Sequence, residues 1–285
     1  MAVYVDENTK VIVQGITGHQ GSFHAGEMIK FGTKVVAGIS PGKGGTKFQD
    51  KVPIVNSVAD AMSFSPDATM ISVAAPFVKD AAYEAIDAGI GIVYILTEHV
   101  PFHDTMEIVH QAKRKGITVM GPNGPGITVP GKCKIGIMPN QIFKDGDVAV
   151  ASRSGTLTYE IVEAITRSGM GESAVIGLGG DPVVGLTFID VLKKFNDDPK
   201  TNKIVLVGEI GGNNEELAAA YIKANIKKQV VAYITGRSAP PGKRMGHAGA
   251  IIEKGVGTAE SKIKAFNEAS VKVADYPVDV PKLLR

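Results

Sequence analysis

The chain has 285 residues with 44% hydrophobic and 21% charged positions, enough for two ordinary domains around apolar cores. Its net charge is +2 with no basic block, which argues against nucleic acid as the main partner, since phosphate backbones demand clustered Lys and Arg. One cysteine excludes an internal disulfide framework and fits a reducing compartment.

Short Val/Ile-rich runs alternate with helical patterns, the signature of parallel βαβ units. In the first half, strands are predicted at Lys10–Gln14, Lys34–Gly38, Thr69–Ala74, Ile92–Leu96 and Ile117–Met120. Helices fall between them at Ser22–Phe31, Lys79–Ala88 and His103–Lys115. Residues 121–147 break this rhythm, because Gly121-Pro122-Asn123-Gly124-Pro125-Gly126 and Pro130-Gly131 punctuate any regular element. They are expected to be an irregular connection. Strands resume at Val148–Ala151, Ser173–Leu178, Lys203–Gly208, Val230–Thr235 and Val271–Ala274. Helices are predicted at Leu157–Arg167, Thr187–Phe195, Glu215–Ala224 and Ser261–Ala269. The expectation is an α/β protein with two open, doubly wound sheets, whose ligands bind at the carboxyl ends of the strands. No apolar run reaches the ~20 residues that cross a bilayer. Polar Met1–Lys10 resembles neither a signal nor a transit peptide, so the expected location is cytoplasmic.

The first predicted strand runs into Gly15-Ile16-Thr17-Gly18-His19-Gln20-Gly21 ahead of a helix. Strand, glycine loop and helix N-terminus can cradle a phosphate with backbone N–H groups. The spacing is GxxGxxG, so the dinucleotide fingerprint is imperfect. A NAD site would also place Asp or Glu after the second strand. This chain has Ser40-Pro41-Gly42-Lys43-Gly44-Gly45 there, and a cation suits a ligand with an extra phosphate, NADP or coenzyme A. A structural glycine turn with a solvated lysine would read the same way.

The second half repeats the arrangement at Ser152-Arg153-Ser154-Gly155-Thr156, where two hydroxyls and free N–H groups meet at a helix start. A plain helix cap would look alike. Glu209 closes a predicted strand ahead of a Gly-Gly turn, placed either to fix the tautomer of an imidazole or to complement a helix dipole. His247 lies in Lys243-Arg244-Met245-Gly246-His247-Ala248-Gly249, a histidine with small neighbours and cations nearby. Such a histidine can be reached by a bulky anion, as a phosphoryl-accepting nucleophile must be, although an ordinary loop histidine is the alternative. Nothing near it looks like a metal shell. No GxxxxGK[ST] occurs, so nucleotide chemistry is expected on another subunit.

Over essentially its full length the chain resembles the alpha subunits of succinyl-CoA synthetase (succinate–CoA ligase). The resemblance is carried by Gln14–Gly18, Gly21–His24, Pro41–Thr46, Ala75–Phe77, Thr97-Glu98, Lys134–Pro139, Ser152–Glu160, Gly179–Pro182, Gly208–Gly212 and Gly242–Ile252. It implies a Rossmann-like CoA-binding domain over 1–122, a connection over 123–147, and a flavodoxin-like ligase domain over 148–285. It implies that His247 is phosphorylated transiently, with Glu209 beside it and Ser154, Gly155 and Thr156 holding the phosphate. Thr17, Gly18, His19, Gln20, Lys43, Leu96, Thr97 and Glu98 would contact coenzyme A, and Tyr159 would lie near the acid. The implied partner is a beta subunit of ATP-grasp fold carrying nucleotide and Mg²⁺. The implied reaction joins succinate and CoA at the expense of a nucleoside triphosphate, through an acyl phosphate and a phosphohistidine, as in the citric acid cycle. Gly124 stands where the family often has a cysteine. Relatives that activate malate leave a malate–CoA ligase as an alternative. A CoA- or NADP-binding regulator without covalent chemistry, and a self-contained oxidoreductase, are the rivals from other classes.

Overall fold

The computed structural model describes residues 3–240, 242–253 and 255–285. The first half builds one seven-stranded sheet from β1 (Lys10–Gln14), β2 (Lys34–Ile39), β3 (Lys47–Phe48), β4 (Val52–Val55), β5 (Ala68–Ile71), β6 (Ile92–Ile95) and β7 (Thr118–Met120). Its helices are α1 (His19–Phe31), α2 (Val58–Ala61), α3 (Val78–Asp87) and α4 (Phe102–Arg114). The strand order is β3-β4-β2-β1-β5-β6-β7, parallel throughout except for the β3–β4 hairpin. The chain winds outward from β1 in both directions, so the crevice between β1 and its two neighbours opens at their carboxyl ends. Val11, Ile12 and Val13 of β1 are fully buried, as expected of a strand covered on both faces. α1 stops at Gly32, whose left-handed backbone (φ 103°) lets its N–H bond the last free carbonyls.

The second sheet comprises β8 (Gly126–Val129), β9 (Cys133–Gly136), β10 (Asp145–Ser152), β11 (Glu172–Gly177), β12 (Lys203–Glu209), β13 (Gln229–Thr235) and β14 (Lys272–Ala274). It is flanked by α5 (Gly155–Arg167), α6 (Phe188–Asp197), α7 (Asn214–Asn225), α8 (Ala259–Glu268) and α9 (Val280–Leu283). The order is β14-β13-β12-β10-β11-β8-β9. The five parallel strands alone follow the flavodoxin-like order, with the switch point between β10 and β12. The α/β class and the doubly wound sheets are as the sequence led one to expect, and most predicted elements lie within three residues of the observed ones.

Residues 121–147 differ from expectation. They carry the β8–β9 hairpin, which joins the second sheet antiparallel to β11. The glycine and proline residues that look like a break form a turn, with Lys132 N–H donating to the Val129 carbonyl at 3.0 Å. What makes the segment a strand pair is burial of Ile127, Val129 and Ile135 against the neighbouring core. The short β3–β4 hairpin and α2 also lay below the threshold of periodicity reading.

The hairpin fastens the two halves together. Thr33, just past α1, donates from Oγ1 to the Lys134 carbonyl at 2.7 Å. Buried Lys134 donates from Nζ to the Met138 carbonyl (2.9 Å) and to Asn140 Oδ1, and Asn140 Nδ2 donates to the Glu27 carbonyl at 3.0 Å. Burial pulls the Lys134 amine down to about 8. α1 is thereby fixed against the second sheet, and with it whatever its N-terminus binds.

Candidate functional site

Two loops of the same design face each other. After β1, residues 15–18 turn tightly and the chain enters α1, with Gly18 N–H donating to the Gly15 carbonyl at 3.0 Å. Gly21 packs so closely on that carbonyl that a side chain there would overlap it. The first turn of α1 holds no acidic residue, which leaves the positive end of the helix free for an anion. Gly18, His19 and Gln20 are exposed. Thr17 Oγ1 lies 2.6 Å from Ser40 Oγ and accepts from Lys43 Nζ at 3.2 Å.

In the second sheet, β10 leads through Arg153 into α5, whose first turn is likewise free of acid. Ser154 is the helix cap, its Oγ accepting from Leu157 N–H at 3.4 Å. The parallel neighbour β12 ends in Glu209, and the loop after β13 returns His247 to the same edge. His247 Nδ1 and Glu209 Oε2 are 2.8 Å apart. A carboxylate oxygen only accepts, so Nδ1 carries the proton and Nε2 keeps its lone pair. The hydrogen bond that the ring donates to Glu209 holds the imidazole above its ordinary value, while burial works against it. Arg153 opposes the protonated ring and Asp181 favours it. Gly180 lies flat against the imidazole, where any Cβ would penetrate the ring.

A cleft of about 600 Å³ joins the two loops. The first half lines it with Gly18, His19, Gln20, His24, Leu96, Thr97 and Glu98, the second with Gly155, Thr156 and His247. Gly124 and Pro125 lie between them. Of the residues singled out in sequence, this one cavity therefore gathers six from the first glycine loop and β6 side, two from the start of α5, and the histidine. Glu209 stands behind the histidine. Four sit elsewhere: half-buried Thr17 and exposed Lys43 pair at the rim of the first loop, Ser154 uses its hydroxyl as a cap, and Tyr159 lies outside the cavity lining. Tyr159 is half-buried one turn along α5, and burial pushes its phenol up to about 12. A second cavity of about 550 Å³ reaches His247 from the side of Asp181 and Arg244.

Sequence reading missed the groups behind Glu209. Arg153 Nη2 stands 3.3 Å from Glu209 Oε1, and Arg153 Nη1 is 3.0 Å from Glu215 Oε1. Lys262 pairs with the other oxygen of Glu215. Arg153 is visible only as part of a serine-rich helix start, and Glu215 only as a first-turn helix acid. Among the described residues, no three His, Cys, Asp or Glu side chains are grouped to hold a metal ion, and no helix is long and apolar enough to cross a membrane.

The family described as CoA binding domain matches residues 6–99, and the family described as CoA-ligase matches residues 151–272. A protein of Archaeoglobus fulgidus described as succinate–CoA ligase [ADP-forming] subunit alpha 2 is 53% identical over 285 residues, covering all of this chain and 99% of that protein. The corresponding alpha subunit of Staphylococcus aureus is 50% identical over 285 residues, covering 94% of that protein. Among solved structures, the ATP citrate lyase of Methanothrix soehngenii in complex with citrate and coenzyme A superposes with a TM-score of 0.89 at 25% identity. That match covers 99% of this chain, which spans half the length of the lyase chain.

Proposed function

Because the chain belongs to the CoA-ligase family, with succinate–CoA ligase alpha subunits as full-length relatives, we propose that it is the alpha subunit of an ADP-forming succinate–CoA ligase. The observation that carries this reading is the single cleft running from the N-terminus of α1 to Gly155, Thr156 and His247. A CoA thioester seated along the first glycine loop would present its reacting end to the histidine.

In the direction of nucleotide synthesis, phosphate attacks the thioester carbonyl and CoA leaves as the thiol, giving succinyl phosphate. His247 Nε2 attacks the phosphorus, and succinate departs. The imidazole then passes the phosphoryl group to ADP. Glu209 holds the Nδ1 proton and stabilises the positive ring that forms. The free N–H groups at the start of α5, around Gly155 and Thr156, stabilise the transferring phosphate by fixed dipoles. Nucleotide and Mg²⁺ belong to a beta subunit of ATP-grasp fold. The CoA-binding domain is residues 1–122 and the body of the ligase domain is 148–285, with 123–147 linking them and adding the β8–β9 hairpin to the second sheet. The complex works in the cytoplasm.

The test uses the chain co-purified with its partner and ATP labelled on its terminal phosphate. Wild type takes up an acid-labile, base-stable label, and His247→Asn takes up none. Label persisting in His247→Asn overturns the assignment. Turnover of succinate above malate in a panel of acids supports the substrate, and the reverse order overturns it.

A further inference from the structure

Glu209 does not meet His247 alone. Its Oε1 is buried and faces Arg153 Nη2 at 3.3 Å without the alignment of a hydrogen bond. Its own backbone N–H donates to Glu215 Oε1 at 3.2 Å, so Glu215 also fixes the strand end that carries it. Arg153 Nη1 and Lys262 Nζ both donate to the Gly211 carbonyl, at 3.3 and 3.0 Å, closing the turn after β12. Glu215 and Lys262 are fully buried, and Arg153 is 6% exposed. They come from three different elements: the exit of β10, the first turn of α7 and the first turn of α8.

We infer that Arg153, Glu215 and Lys262 together form a positioning device for His247, dividing the Glu209 carboxylate between Arg153 and the imidazole. The inference deepens the phosphohistidine reading and rests on it for its catalytic meaning.

The charges explain how the device works. Two cations, Arg153 and Lys262, face three carboxylates, Glu209, Glu215 and Glu216, the last 3.5 Å from Lys262. One negative charge is left over, and an imidazolium would cancel it. From other elements, Asp181, Glu98 and Arg244 also face the ring or line its cavities. Uncompensated charge in a buried site is expensive, so removing one member reassigns the rest. Without the Lys262 charge, Arg153 is drawn toward Glu215 and Glu209 is released to His247. Without the Glu215 charge, Arg153 turns onto Glu209 and the ring loses its partner. A nucleophilic histidine needs the middle condition: Nδ1 held by a carboxylate, yet the ring neutral at working pH.

The experiment is a pH titration of the labelled imidazole by NMR in the full chain, which involves no phosphoryl chemistry. Lys262→Met raises the His247 midpoint by about one pH unit and Glu215→Gln lowers it by about one, since the sign of the buried charge changes in opposite senses. Lys262→Arg restores the wild-type midpoint. Glu216→Gln, at the partly exposed edge of the cluster, gives a smaller fall and keeps the test open if the buried variants do not fold. In the complex with the partner, the acid limb of the phosphorylation rate follows each midpoint. Shifts in the same direction, or none, overturn the device. Opposite midpoint shifts in a chain that never takes up phosphate uphold the device as electrostatics and overturn the functional reading instead.

Discussion

The two glycine loops share an architecture and differ in what surrounds them. Each follows a parallel strand at a switch point, and each opens a helix whose first turn holds no acid. Around the first, Gly18, His19 and Gln20 are exposed, and the nearest cation, Lys43, sits in solvent on Thr17. Around the second, Ser152, Arg153 and Ser154 are buried and backed by Glu209, Glu215 and Lys262. The first loop is a shape made of backbone, suited to receiving a large mobile ligand. The second is a set of charges fixed before any ligand arrives, suited to stabilising a charge that moves. Preorganisation is concentrated where bonds are expected to change.

The strongest way to break this comparison is to act on the second loop alone. Glu209→Gln removes the carboxylate charge that faces His247 Nδ1 and slows phosphoryl transfer by roughly 10²–10⁴-fold, the span of a positioned acid–base group. Single-turnover labelling measures it, and normal kinetics would remove Glu209 from the chemistry. Gly180→Ala is next. Its methyl group would enter the imidazole ring, so the ring must tilt away from Glu209. Misplacing a reacting group by about an ångström costs on the order of 100-fold, and the loss should fall on phosphorylation while CoA binding is kept.

Lys43→Glu probes the first loop. The CoA KM should rise at least about 10-fold, because a charge-assisted contact is lost and repulsion added. Phosphorylation of His247 by ATP should stay near normal, since that half-reaction uses no CoA. An equal loss in both half-reactions would erase the distinction between the two loops.

A separate effect, on stability rather than on turnover, lies away from both loops. Glu172 is fully buried at the start of β11, and burial pushes its carboxyl up to about 7. An acid raised in the folded state binds its proton more tightly there than in the unfolded chain. It therefore costs nothing below its unfolded value and a growing amount as pH rises toward 7. Glu172→Gln should stabilise the protein by at most about 3 kcal/mol above pH 7, and the gain should vanish as pH falls toward the unfolded value. Denaturant titrations at pH 5 and pH 8 measure it. A gain that does not depend on pH would assign the effect to packing.

Much of this protein is written locally. β1 is a short run of β-branched residues and β10 carries the apolar run Val148-Ala149-Val150-Ala151, and parallel strands buried on both faces need no other cue. The glycine loops and their helices are contiguous, so the strand-loop-helix signal is complete within about fifteen residues of sequence. His247 and Glu209 each stood out because small neighbours or a strand end marked them. What tertiary structure alone decided depends on distance along the chain. Arg153 meets Glu215 across 62 residues, Lys262 meets Glu215 across 47, and His247 meets Glu209 across 38. A buried charge has no periodicity and no motif, because its partner is chosen by which elements the winding of the sheet brings together. The same holds for the β8–β9 hairpin, where glycine and proline announce a turn and only packing against β11 makes the flanking residues strands. Local chemistry thus determined which elements and which loops exist, and the winding of the second sheet decided which charges stand behind the histidine.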